Sequence, residues 1–98
     1  MFASDFADFI WYSIPNFEQM PNLMNVGLGH DFSINQYYKT IANVIGYNGG
    51  FVHDLSKPTG MRQKLVNIDK LNQFGWTHTN SLENGIKITY KFFLEHYT

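Results

Sequence analysis

The chain has 98 residues, 44% of them hydrophobic and 17% aromatic, which fits one small folded domain and excludes a disordered segment. Its formal net charge is −1, and its basic residues are spread out apart from Lys57, Arg62 and Lys64, so it lacks the broad basic surface that nonspecific binding of nucleic acid requires. It contains no cysteine, which excludes a disulfide scaffold and a thiolate metal site.

The first predicted element is an amphipathic helix over residues 4–12 (SDFADFIWY). Ser4 is a candidate N-cap, acidic residues follow in the first turn, and Phe6 and Ile10 recur at helical spacing. Two prolines in residues 13–21 end or break this helix. The apolar run 23–26 (LMNV) then predicts a short strand, because glycines stop it at once.

The clearest element is a helix that begins after Ser33. Ser33 and Gln36 form a Ser-x-x-Gln capping box, in which the hydroxyl and the amide satisfy backbone donors at a helix start. The apolar side chains that follow recur as one broad stripe, and Gly46 suits the C-terminal stop. This stripe comprises Ile34, Tyr37, Tyr38, Ile41, Val44 and Ile45.

The second half of the chain is predicted as a brief strand, a loop and two helices. Residues 51–53 (FVH) suit the strand, and residues 54–64 have the composition of a loop. Asn67 can cap a short helix that ends at Gly75, and Ser81 can cap a final helix with an apolar stripe. The expected fold class is therefore α/β: one small mixed domain of short strands and three or four helices.

The sequence predicts neither a secretory signal nor a membrane-spanning segment. The N-terminus is acidic and aromatic rather than basic and then apolar, so it does not resemble a secretory signal. No apolar run approaches the roughly 18 residues that a membrane-spanning helix needs. A soluble, cytoplasmic protein is expected, with neither a membrane nor a nucleic acid as a partner.

The residues supply no independent catalytic machinery. The glycines follow neither the G-x-G-x-x-G nor the P-loop spacing, and no lysine stands four residues after a tyrosine. The four histidines are far apart and lack ligand spacing, so each is expected to be structural rather than a metal ligand. Ser56 with His53 as base lacks a third orienting group, and Ser56 is better read as a turn residue.

Several segments resemble GDP-L-fucose synthases. Residues 25–29 (NVGLG) and 31–34 (DFSI) are similar to the family's NVG-x-G…D-x-[ST]-I segment, and residues 56–64 (SKPTGMRQK) to its SKPDG-x-x-x-K loop. The continuation through Trp76 resembles its L-L-D…L…LGW run, and the tail from Ser81 resembles its closing helix. The N-terminal FASDFAD also resembles a segment at the boundary between the two domains of extended short-chain reductases. The match runs in order over almost the whole chain.

The resemblance implies a fold and a role. That family converts GDP-4-keto-6-deoxy-D-mannose to GDP-L-fucose by epimerisation and by hydride transfer from NADPH. Its Rossmann half binds NADPH and contributes the catalytic Ser, Tyr and Lys, while its smaller C-terminal part helps to hold the GDP-sugar. Residues 1–98 correspond to that smaller part as a single domain. No cofactor and no catalytic residue are therefore expected in this chain.

The resemblance also implies three substrate-binding residues, all in the SKPTGMRQK loop. Lys64 matches the family lysine that reaches toward the substrate phosphates. Thr59 occupies the position of a substrate-contacting aspartate, and so keeps a hydrogen-bonding group but loses the charge. Arg62 stands where the family has proline, which moves a cation by one position. Without the resemblance, Lys57, Arg62 and Lys64 would favour an ordinary solvated surface loop.

Two functions accommodate the missing catalytic residues. In the first, the chain is a substrate-binding part that works only beside a Rossmann half. In the second, it is a stand-alone interaction or assembly protein derived from that part. Without the Rossmann half, an apolar surface is left free, and a homodimer is expected. Phe6, Ile10 and Trp11 would contribute to its interface with one face of the Tyr37–Tyr38 helix, and exchange of the N-terminal helix is one route to it.

Overall fold

The computed structural model describes residues 1–98, and its only regular secondary structure is helical. The α-helices are α1 (Ala3–Ser13), α2 (Ile34–Ile45), α3 (Asp69–Phe74) and α4 (Leu82–Tyr97), with a 3₁₀ turn at Phe17–Gln19. No residue lies in a β-strand. The prediction of a mixed α/β domain is therefore wrong, although it placed four helices in the right parts of the chain.

The two predicted strands fail because neither segment has a strand beside it. A strand is stable only when its backbone groups pair with a neighbour. Residues 23–26 are instead tied to the rest of the chain by a side chain, since Asn25 Nδ2 donates to the carbonyl oxygen of Asn67 at 3.2 Å. Residues 51–53 lie on the surface, where the Val52 side chain is 99% exposed. Apolar runs of this length do not by themselves distinguish a strand from coil.

The predicted capping box at the start of α2 is confirmed. Ser33 Oγ accepts a hydrogen bond from the backbone N–H of Gln36 at 3.1 Å, and Gln36 Oε1 accepts from the backbone N–H of Ser33 at 2.6 Å. At the other end, Gly46 adopts the left-handed conformation with φ of 77°. Both ends of α2 are therefore specified by local sequence.

Of the other three helix starts, only that of α4 has a side-chain cap. Ser81 Oγ accepts from the backbone N–H of Asn84 at 3.1 Å and caps α4, as predicted. The predicted cap of α3 by Asn67 is wrong, because the N-cap residue is Ile68 and no side chain caps the helix; Asn67 Oδ1 instead accepts from the backbone N–H of Asp69 at 2.8 Å, one residue before the N-cap. The predicted cap of α1 is wrong, because the helix already begins at Ala3 and no side chain caps it.

A small core joins α1 to α3 and to the segment after it. Phe9, Leu71 and Trp76 are buried, and the rings of Phe9 and Trp76 meet edge to face with centroids 5.3 Å apart. Leu71 lies at the centre and is 1% exposed. Partly buried side chains surround these three, namely Tyr12, Met20, Met24, Val26, Ile68 and Phe74.

Two carboxylates dock α1 onto distant parts of the chain. Asp5 is 3% exposed and accepts hydrogen bonds from the backbone N–H of Asn80 at 3.0 Å and from its Nδ2 at 2.9 Å. Asp8 accepts from the indole N–H of Trp76 at 2.9 Å. Both partners precede α4, so these bonds fix α1 against the α3–α4 connection. Independently of them, α2 packs on α4.

The chain is unusually open for its size. Its radius of gyration is 16.8 Å, whereas a compact domain of about 100 residues has about 13 Å. Its accessible surface is 8111 Å², against about 5,800 Å² expected for a compact protein of this mass. Only 7 of 98 residues are buried, so many large apolar side chains remain exposed. No helix combines the length and apolar character that a membrane crossing requires.

Replacing Gly29 with alanine should destabilise the fold. Gly29 has φ of +83°, and a Cβ added there would lie 2.5 Å from Cδ1 of Ile68. Strained backbone of this kind costs about 1 to 3 kcal/mol, so we expect the melting temperature to fall by at least about 4 °C. Gly50→Ala is the matched control, because open space surrounds Gly50. Equal melting temperatures for the two variants would contradict the close approach of Gly29 to Ile68.

Candidate functional site

The chain offers two candidate binding surfaces. The first is residues 54–67, here called the cationic loop because it carries Lys57, Arg62 and Lys64 against a single acid, Asp54. The second is a groove between α2 and α4, here called the α2–α4 groove. The two surfaces share no lining residue.

The start of the cationic loop is a turn held by Asp54. Asp54 Oδ1 accepts from Ser56 Oγ at 2.6 Å and from the Ser56 backbone N–H at 3.1 Å. The bond from the hydroxyl, and then that from the backbone, lower the pKa of the Asp54 carboxyl. His53 Nε2 instead lies 2.8 Å from Asn35 Oδ1 on α2. Ser56 is therefore a turn residue, as predicted, and forms no nucleophile–base pair with His53.

The end of the cationic loop packs against the NVGLG segment, residues 25–29. The Asn25 side chain holds the Asn67 carbonyl. A Cβ added to Gly27 would come within 2.7 Å of a methyl group of Val66. Glycine is required for such close packing. The structure thus brings together two segments, far apart in sequence, that both carry the resemblance described above.

The three predicted substrate-binding residues lie together on the surface of the cationic loop. Thr59, Arg62 and Lys64 are all exposed, as is Lys57. None of these four side chains forms a hydrogen bond or an ion pair within the chain. The positive charges of Lys57, Arg62 and Lys64 therefore face solvent without an internal partner. None of them lines the α2–α4 groove, so the loop is an open surface rather than a preformed pocket.

The α2–α4 groove is apolar. It has a volume of about 500 Å³ and is lined by 15 residues, 11 of them hydrophobic. Its walls include Ile41, Ile45, Ile86, Tyr90 and Phe93, and Phe2 from the N-terminus closes one side. No acidic, basic or histidine side chain lines it. The groove can therefore contribute apolar contact, and its polar side chains are hydroxyls and an amide, among them Tyr37, Ser81 and Tyr90.

Sequence reasoning missed this groove. The apolar stripes of α2 and α4 were visible, but such stripes ordinarily predict a closed core. Here the two helices pack on each other but leave much of both stripes exposed, since Ile34, Ile41 and Ile45 on α2 and Phe93 on α4 are 40 to 64% exposed. Phe2 lies against Gly85, where an added Cβ would come within 3.3 Å of the Phe2 ring. This contact joins residues 83 positions apart, so no local pattern announces it.

The histidines take part in local contacts. His78 Nδ1 lies 3.1 Å from the carbonyl oxygen of Asn80, and His96 Nδ1 lies 2.9 Å from that of Phe92. Nowhere do three His, Asp or Glu side chains come together in an arrangement that could hold a metal ion.

Comparison with known proteins identifies similar sequences. No protein-family model matches the chain. It is 53% identical over 94 residues to a GDP-L-colitose synthase of Yersinia pseudotuberculosis, and 47% identical over 94 residues to a GDP-L-fucose synthase of Azorhizobium caulinodans. Each match covers 96% of this chain but only 30% of the relative. The chain thus spans about a third of the length of these relatives and matches their C-terminal portion.

Solved structures point the same way. A crystal structure of a GDP-6-OMe-4-keto-L-xylo-heptose reductase from Campylobacter jejuni has a TM-score of 0.84 and 28% identity, over 93% of this chain and 29% of its own. A GDP-mannoheptose C4 reductase from the same organism, solved with NADP bound, has a TM-score of 0.78 and 28% identity over 92% of this chain and 29% of its own.

Proposed function

Because the chain corresponds to the C-terminal portion of GDP-L-fucose and GDP-L-colitose synthases, we propose that it is the GDP-sugar-binding part of such an enzyme. The observation that carries this proposal is the 53% identity over 94 residues, a span that includes the exposed cationic loop. The alternative, a stand-alone assembly protein, finds no support among these relatives.

The cationic loop has the chemistry that a nucleoside diphosphate requires. The diphosphate is anionic, and Lys64 and Arg62 carry charges that no internal acid neutralises. Lysine acts as a compact point charge, whereas the arginine fork can donate two parallel hydrogen bonds to one phosphate. The Thr59 hydroxyl can donate to a phosphate or sugar oxygen but cannot repel it, unlike the aspartate of the family. Lys64 stands only three residues before Asn67, whose carbonyl is anchored by the side chain of Asn25.

In this proposal the chemistry belongs to a Rossmann half. That half would hold NADPH, which supplies the hydride, and the catalytic Ser, Tyr and Lys. This chain would bind and orient the GDP end of the substrate. Support comes from the open surface of the chain and from relatives about three times its length. The C4 reductase from Campylobacter jejuni was solved with NADP, in a chain that contains the remaining portion.

Replacing Lys64 with alanine should weaken the binding of GDP. A hydrogen bond to a charged group contributes about 1.5 to 3 kcal/mol, so the dissociation constant should rise about tenfold or more. Isothermal titration of the purified chain with GDP and GDP-L-fucose measures this change. Lys57→Ala is the matched control, because Lys57 lies in the same loop but does not match the family lysine. Equal effects of the two variants would contradict the role of Lys64, and a wild-type chain without saturable binding would contradict GDP-sugar binding by the chain alone.

A further inference from the structure

The cationic loop is hydrogen-bonded to the rest of the chain only near its two ends. Its start is the turn at Asp54, whose carboxylate and carbonyl oxygens accept hydrogen bonds from residues 56–57. Residues 58–66 then form no hydrogen bond within the chain, from either the backbone or the side chains. The position of Lys64 is therefore set by where the loop begins and where it ends.

The far end of the loop is held by one side chain. Asn25 Nδ2 donates to the carbonyl oxygen of Asn67 at 3.2 Å, although the two residues are 42 positions apart. Lys64 lies three residues before this carbonyl, a stretch of chain that spans at most about 11 Å. The turn at the other end is farther away, since Lys64 stands seven residues after Lys57. The bond from Asn25 is therefore the hydrogen-bonded anchor nearest to Lys64.

The neighbourhood of Asn25 restricts the loop end from a second direction. A Cβ added to Gly27 would lie 2.7 Å from a methyl group of Val66, so the two backbones already approach as closely as glycine allows. Val66 directly precedes Asn67, whose carbonyl Asn25 holds. Close packing thus prevents the loop end from moving toward this segment, and the amide bond prevents it from moving away.

The bond from Asn25 contributes to neither the core nor the charge of the loop. The Asn25 side chain is exposed and uncharged, and so is its contact with Asn67. Its loss would leave the buried side chains and the three loop cations as they are. It would instead lower the fraction of molecules in which the loop end is in place. A ligand that binds only one arrangement of a loop loses apparent affinity in proportion to that fraction.

We propose that Asn25 is a positioning residue for the diphosphate of a GDP-sugar. Its amide holds the end of the cationic loop so that the Lys64 ammonium group meets the diphosphate, while Asn25 itself does not touch the ligand. This role rests on the GDP-sugar binding proposed above, and it gives a task in that binding to a residue outside the loop.

Isothermal titration of the purified chain with GDP tests the proposal. We expect Asn25→Ala to raise the dissociation constant about three- to tenfold, because the loop end is no longer held. Asn48→Ala is the matched control, since Asn48 is an exposed asparagine whose side chain forms no hydrogen bond in the chain, and it should bind GDP like the wild type. In the Lys64→Ala background, Asn25→Ala should weaken binding by less than about twofold further, because the group that it positions is gone.

Nitrogen-15 relaxation of the Lys64 backbone amide reports the position of the loop directly. The order parameter of this amide should fall in Asn25→Ala and stay at the wild-type value in Asn48→Ala. A merely structural role of Asn25 would not confine the change to the loop.

The outcomes separate this proposal from the one on which it rests. A wild-type chain that does not bind GDP overturns both. If the wild type binds GDP and Asn25→Ala binds it equally well, the positioning role alone is overturned. The same holds if the effects of Asn25→Ala and Lys64→Ala on the binding free energy simply add, since Asn25 would then act independently of Lys64, or if the order parameter of Lys64 is unchanged.

Discussion

Replacing Leu71 with alanine should lower the free energy of unfolding by about 2 to 5 kcal/mol. Leu71 is 1% exposed and belongs, with Phe9 and Trp76, to a core of only three large buried side chains. A compact domain can relax around such a cavity, but a core this small has few neighbours that could fill it. Because whole domains are stable by only about 5 to 15 kcal/mol, the loss is a large fraction of the total.

Urea denaturation of the Leu71 variant, followed by tryptophan emission, measures this loss. Trp76 packs on Phe9 in the core, so its emission changes when the core opens. Leu55→Ala is the control, because Leu55 is a leucine on the surface of the cationic loop. The midpoint should stay within error for Leu55→Ala and fall clearly for Leu71→Ala. Similar midpoints for the two variants would mean that the core is not centred on Leu71.

Replacing Asp5 with alanine should undock the start of α1. The change leaves the backbone N–H and the Nδ2 of Asn80 without their acceptor. Hydrogen bonds to a charged group contribute about 1.5 to 3 kcal/mol each, so we expect a loss of about 3 kcal/mol or more. Asp31→Ala is the control, because Asp31 is exposed and its side chain forms no hydrogen bond in the chain. If the urea midpoints of the two variants coincided, this role of Asp5 would be contradicted.

The same carboxylate makes stability depend on pH. Burial raises the pKa of Asp5, but the hydrogen bonds from Asn80, with smaller contributions from the Thr79 backbone and the charge of His78, outweigh it, and the pKa ends below its ordinary value of 3.8. The contribution of Asp5 is therefore fully present above that ordinary value and is lost as pH falls through the folded pKa. The wild-type chain should lose stability below about pH 4, and Asp5→Asn should show a shallower loss over the same range.

Local chemistry explains which parts of this fold could be predicted. The capping box of Ser33 and Gln36 and the cap at Ser81 act within one turn, so the sequence alone identifies them. The strands at 23–26 and 51–53 could not be tested locally, because a strand exists only if another segment pairs with it. Asp5 shows the same limit. Sequence reasoning treated it as a first-turn acid, whereas its partner lies 75 residues away.

The two candidate binding surfaces differ in the same respect: one follows from a local sequence pattern, and the other depends on contacts between distant segments. The cationic loop was found through resemblance, because its Pro, Gly and Lys lie at fixed spacing within nine residues. Its exposure and its anchoring at Asn67 required the structure. The α2–α4 groove was missed, because it is assembled from the N-terminus, the segment around Phe32 and two helices. No single one of those segments has the composition of a binding site.

The open shape of the chain has a consequence for its heat capacity of unfolding. The heat capacity change follows the apolar surface that unfolding newly exposes. With 8111 Å² already accessible in the folded chain, unfolding exposes only about four fifths of the surface that a compact chain of this mass would. The stability curve of this chain is therefore flatter than that of a compact domain. We expect its enthalpy of unfolding to be correspondingly small, so heating should melt it over a broad temperature range.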